Sequence, residues 1–160
     1  MCIRDRLETN AIPTTIDTKI NLIPSYHFKE CNFEQQGYAV GMGNPHLIFF
    51  LEDITQISLS RLGPVFETNE LFPEKTNVHF SQIKNRNNIK VLVWERGAGA
   101  TLACGTGACA VHVAAYQLGL CDSITTINLP GGNLIINWSR SEDEILMTGN
   151  AKKVLSLIHI

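Results

Sequence analysis

The chain has 160 residues, a formal net charge of -2, 44% hydrophobic side chains and 18% charged ones. That is one ordinary domain with enough apolar material for a packed core, which excludes a disordered chain. No basic run exceeds two residues, no apolar stretch approaches the ~18 residues of a membrane span, and the start lacks a signal-peptide pattern. A soluble, cytoplasmic protein is expected, with neither nucleic acid nor membrane as partner.

The five cysteines (Cys2, Cys31, Cys104, Cys109 and Cys121) are odd in number and irregularly spaced. Reduced thiols are therefore expected rather than a disulfide framework. The end segments MCIRDR (1–6) and LSLIHI (155–160) do not continue the patterns beside them. They resemble translated sequencing adapter, and are set aside as non-native.

In chain order, Thr9 to Tyr38 is a mixed pattern whose short apolar runs are broken by Pro13 and Pro24. Tyr38–Met42 and His46–Leu51 predict strands flanking the turn signal Gly43-Asn44-Pro45. Ile54 to Phe66 has a helical period, which Gly63-Pro64 is expected to stop near Leu62. Asn77–Ile83 and Ile89–Trp94 predict a hairpin turning through Lys84–Asn88. Thr125–Leu129 and Asn133–Trp138 predict a second hairpin around Pro130-Gly131-Gly132, with a third strand at Glu144–Thr148.

Ala108–Leu120 differs: it is apolar nearly all round and ends with Gly119 in a C-terminal position. A helix without a polar face must be buried on all sides. The expected fold is therefore α+β, a curved mixed or antiparallel sheet wrapped around one central buried helix.

The chemistry concentrates in Glu95–Ala110, ERGAGATLACGTGACA. Glycines at 97, 99, 105 and 107 straddle Cys104 just before the buried helix. They let a ligand approach the backbone, and free N–H groups at a helix start favour an anion. The same field is expected to lower the thiol pKa of Cys104, so that a reactive thiolate and a bound carboxylate share one place. A phosphate loop would need a following Lys-Ser or Lys-Thr pair, and a dinucleotide fingerprint a glycine where Leu102 stands. Cys104, Cys109 and His112 lack a fourth ligand, so no metal is expected. No histidine is clearly placed to activate Cys104 for acyl chemistry.

The whole segment resembles the second cysteine motif of diaminopimelate epimerases. Met42-Gly43-Asn44-Pro45-His46, Leu62-Gly63-Pro64, Phe72-Pro73-Glu74-Lys75-Thr76-Asn77-Val78, Leu129-Pro130-Gly131-Gly132 and Met147-Thr148-Gly149 resemble further family segments in the same order. Lys75 stands where arginine is usual, Ala100 where an acidic or polar residue is usual, and Asn150 where proline is usual. Members have two similar lobes, each with a cysteine at the start of a central helix. The first lobe's CGNG motif is absent. Between the ends set aside, the resemblance thus implies an inter-lobe or first-lobe remnant at 7–37 and the C-terminal lobe at 38–154.

It also implies a cofactor-independent isomerase converting LL- to meso-diaminopimelate for lysine synthesis, in which two cysteines on opposite faces exchange the α-proton. Cys104 would be one of them. The N–H groups of Gly105 and Thr106 would hold the reacting carboxylate, Asn44, Asn77, Glu95 and Arg96 would bind substrate, and His46 and Glu95 would tune the thiol. No cofactor is expected. The expected partners are an amino-acid substrate and the first lobe of the same enzyme; assembly as a homodimer is left open. With one thiol, the chain alone is expected to be inactive. Taken singly, Asn44 and Asn77 also suit turn and strand-start positions, Glu95-Arg96 a solvated pair and His46 a core histidine. Cys109 is assigned to helix packing, and Cys31 and Cys121 to structure. Two other functions stay open: a non-catalytic carboxylate-binding module, and a racemase or epimerase of another amino acid in the same superfamily.

Overall fold

The computed structural model describes residues 12–138 and 144–150, together with the backbone of residues 2–3. The segments expected to be non-native otherwise lie outside the described residues. The strands are β1 (Cys2–Ile3), β2 (Lys19–Ile20), β3 (Ile23–Glu30), β4 (Phe33–Gly41), β5 (Pro45–Phe50), β6 (Asn77–Asn85), β7 (Asn88–Glu95), β8 (Gly99–Thr101), β9 (Ile124–Leu129), β10 (Gly132–Asn137) and β11 (Ile145–Gly149). Helix α1 (Leu59–Glu67) joins β5 to β6, and α2 (Gly105–Gln117) lies between β8 and β9.

The strands form one mixed sheet in the order β1-β11-β10-β9-β7-β6-β5-β4-β3-β2, with β8 also on β7. Two neighbouring pairs are parallel, β5 with β6 and β7 with β9. Each is joined by a segment containing one helix, and both crossovers move the same way across the sheet. Because β6 and β7 are antiparallel, the two crossovers start from oppositely directed strands. Right-handed connection then puts α1 and α2 on opposite faces.

Alternation along the strands agrees. Val40, Ile48, Val91 and Val93 join the core around α2, whereas Ala39, Leu47, Phe49, Val78 and Phe80 join the core around α1. Helix α2 packs against β4, β5, β6, β9, β10 and β11, so the sheet curves around it as expected for an α+β domain. Ten of its residues, including Ala108 through Ala115, are buried. Among the described residues, no helix is long and apolar enough to cross a membrane.

Several boundaries differ from expectation. Helix α2 begins at Gly105, not Ala108, because Cys104 caps it: the Gly107 N–H donates to the Cys104 Sγ and the Ala108 N–H to the Cys104 carbonyl. Gly119 does end it, at φ 75°. Helix α1 does not stop near Leu62 but runs through Pro64 to Glu67. Pro64 cannot donate to the carbonyl of Ser60, but both residues are exposed, so water can satisfy that oxygen. The β6–β7 turn needs only Arg86-Asn87, since Asn85 already pairs with Asn88. Residues 19–37, read as mixed, supply β2, β3 and half of β4, and continue the same sheet.

Candidate active site

Strands β5 and β6 run parallel with His46 beside Asn77. Strand β7 returns antiparallel, with Val78 opposite Trp94. The start of β5, the start of β6 and the end of β7 therefore meet at one end of the sheet. Asn77, His79 and Ser81 alternate with the core residues Val78 and Phe80, which turns a polar row toward α2. All three are buried.

Cys104 lies at the mouth of α2 and is 6% exposed. Its Sγ is 3.4 Å from the Gly107 nitrogen and 3.6 Å from the Thr106 Oγ1. Gly105 and Thr106, both half-buried, hold the first two helical positions, whose amides have no carbonyl partner within a helix. Gly105 leaves room for Met147 of β11: a Cβ there would stand 3.2 Å from the Met147 methyl.

The expected depression of the Cys104 pKa is not what the structure gives. Burial pushes this thiol up, and the neighbouring Glu95 carboxylate raises it further, while the Thr106 hydroxyl and Gly107 amide pull it down. Desolvation is the largest of these influences: with Cys104 only 6% exposed, loss of water outweighs the hydrogen bonds that favour the thiolate. The thiol is the resting form. Cys109 is buried in the helix packing and its thiol is pushed up to about 12 by burial.

The remaining expected residues fall into two linked groups. Asn77 is a brace: its Nδ2 donates to the Pro45 carbonyl at 3.0 Å, and its Oδ1 accepts from the Arg96 N–H at 3.0 Å. The exposed Arg96 guanidinium donates to the Glu74 carbonyl at 2.7 Å. Asn44 and His46 bond directly, Oδ1 to Nε2 at 2.9 Å. His46 is not bonded to Cys104. Its other nitrogen, Nδ1, meets the Nε2 of His79 at 2.8 Å.

Three side chains that sequence reasoning left out shape this end of the sheet. His79 lies under the first turn of α2, where a Cβ on Gly107 would come within 2.2 Å of its ring. Trp94 lies over Gly63, where a Cβ would come within 2.2 Å of the indole. Buried Glu67 accepts from the Trp94 Nε1–H at 2.7 Å and from the Gly97 N–H at 3.0 Å. Glu67, the last residue of α1, thereby holds the turn that follows Glu95 and Arg96. Alternation alone could have flagged His79 as a polar residue on a core face.

Among the described residues, no group of three or more His, Cys, Asp or Glu side chains is arranged to hold a metal ion. Fold and site together define an α+β protein that places a buried thiol at the N-terminus of an enclosed helix. The family model for diaminopimelate epimerase matches residues 38–154. The chain is 44% identical over 151 residues to the diaminopimelate epimerase of Halothermothrix orenii, covering 94% of this chain and 52% of that one. It is 52% identical over 122 residues to that of Bacteroides thetaiotaomicron, covering 76% and 46%. A solved phenazine biosynthesis protein of the PhzF family from Bacillus anthracis is similar at TM-score 0.48 and 20% identity, covering 67% and 34%. The chain belongs to the diaminopimelate epimerase family. It spans about half the length of the curated relatives it matches.

Proposed function

We propose that this chain is the cysteine-bearing C-terminal lobe of an epimerase that inverts the α-carbon of diaminopimelate without a cofactor, LL to meso, on the route to lysine. An α-proton next to a carboxylate is weakly acidic, so inversion needs a base on one face, an acid on the other and stabilisation of the charge that develops. Cys104 supplies one of the two groups. With its pKa raised, it starts as the thiol and donates its proton to the carbanionic carbon. In the reverse direction the resulting thiolate takes the proton back.

The amides of Gly105 and Thr106 bind the reacting carboxylate, where negative charge builds up. Asn44 and Arg96 suit the distal carboxylate, and Glu95 an ammonium group. Asn77 serves the site chiefly by holding the Arg96 backbone. The base for the opposite face is a second thiol from the part of the relatives' length that this chain does not cover. The observation that carries this reading is the Cys104 thiol capping α2, directly before the first two helical positions, Gly105 and Thr106.

The test is α-proton exchange of diaminopimelate in deuterated water. The 160-residue chain alone is expected to give none. Fused behind the first lobe of the Halothermothrix orenii relative, it is expected to exchange and racemise, and Cys104→Ala in that fusion to reduce turnover at least 1000-fold. Exchange by the chain alone, or a fusion indifferent to Cys104→Ala, overturns the assignment.

A further inference from the structure

His46 and His79 are fully buried at the contact of β5, β6 and α2. Their rings are 5.0 Å apart and linked Nδ1 to Nε2 at 2.8 Å, and His46 continues through Nε2 to the Asn44 Oδ1. Such a chain can carry its protons in either of two directions. In one, His79 Nε2–H donates to His46 Nδ1, and His46 Nε2–H donates to the Asn44 carbonyl. In the other, the Asn44 carboxamide is turned over, its amino group donates to His46 Nε2, and His46 Nδ1–H donates to His79. Both directions need neutral rings. Burial drives the His79 pKa down to about 3 and lowers that of His46 well below the ordinary range.

The far end of the chain decides between them. His79 Nδ1 is buried without a hydrogen-bond partner. The ring presents Cε1 to the first turn of α2, 2.2 Å from where a Gly107 Cβ would be, with Nε2 at 2.9 Å and Nδ1 at 3.0 Å. Under the first direction Nδ1 carries a bare lone pair; under the second it carries an orphaned N–H. Buried N–H groups without a partner are rarer than buried acceptors without one, which favours the first direction.

We propose that His79, whose Nδ1 is buried without a partner, is a positioning residue that fixes the proton of His46 on Nε2 and so turns the Asn44 carboxamide with its amino group away from His46. Asn44 is half-buried at the strand start, so that amino group is free to meet a ligand from the sheet end. It is then a donor, fit for a carboxylate and unfit for an ammonium group. The ligand class rests on the epimerase reading above, whereas the proton arrangement does not depend on it.

The experiment is a long-range proton–nitrogen correlation spectrum of the chain labelled with nitrogen-15 in histidine and asparagine, near neutral pH. Both rings are expected to show the Nε2–H pattern, with the Asn44 amino protons exchanging rapidly with water. A His46 proton on Nδ1, or protected Asn44 amino protons, overturns the proposal in the unmodified chain, so no variant has to fold for it to fail. His79→Gln, which keeps an N–H near the Nε2 position, is expected to leave His46 in the Nε2–H form. His79→Leu is expected to give averaged His46 signals from both tautomers. A His46 that stays wholly Nε2–H in His79→Leu shows that His79 does not set it. Loss of α-proton exchange in the fusion would sink the epimerase reading and leave these spectra unchanged.

Discussion

At Cys104 opposite influences act on one sulfur. The cap position gives it a hydrogen bond from the Gly107 N–H, and burial together with Glu95 opposes ionisation. Because a carboxylate destabilises a neighbouring thiolate, Glu95→Gln is expected to lower the Cys104 pKa. Alkylation of Cys104 by iodoacetamide, followed peptide by peptide in a mass spectrometer, is then expected to run severalfold faster at pH 7.5. Thr106→Ala removes a hydrogen bond that favours the thiolate, and is expected to slow it. Unchanged rates in both variants would mean that neither group acts on the sulfur. The place of Cys104 was legible in the sequence, because a cysteine between glycines at a helix start is a local pattern. The sign of its shift was not, since it depends on how far the folded chain buries the sulfur and on Glu95 coming beside it.

Helix α1 shows the same division between local and distant causes. Its buried stripe, Leu62, Gly63, Phe66 and Glu67, follows the helical period. What the glycine is for appears only once β7 has brought Trp94 onto it. Gly63→Ala would improve helix propensity by about 0.5–1 kcal/mol, but overpacking against a rigid indole costs about 1–3 kcal/mol. The clash wins, and a net loss of about 1–2 kcal/mol is expected from urea unfolding. Trp94 emission should change as its bond to Glu67 breaks; a variant as stable as the parent would mean the indole has room to move. The hairpin of β9 and β10 was legible because Pro130-Gly131 is a turn in its own right. That of β3 and β4 was not. Its two-residue turn is Cys31-Asn32, at φ 51° and 61°, and a cysteine does not announce a left-handed turn. Likewise His79 gained meaning only from the register that sets it beside Ile48.

At the scale of the molecule, three histidines among the described residues (His46, His79 and His112) are wholly buried. All three are held neutral by desolvation; the His79 pKa falls to about 3 and that of His112 to about 4. In the unfolded chain each takes up a proton near pH 6.5. Between that pH and about 4 the unfolded state therefore binds more protons than the folded one, and stability falls as pH falls. Each histidine contributes about 1.4 kcal/mol per pH unit, so the three together approach about 4 kcal/mol per unit. A domain stable by roughly 5–15 kcal/mol does not withstand that for more than a few units. The midpoint of thermal unfolding is expected to change little above pH 7 and to drop steeply below pH 6, with unfolding at room temperature between about pH 5 and 4. His112→Gln, which leaves the His46–His79 bond in place, is expected to shallow that dependence by one proton's worth. A melting temperature independent of pH from 7 to 5 would mean that the rings are protonated in place, and that water reaches the sheet beneath α2.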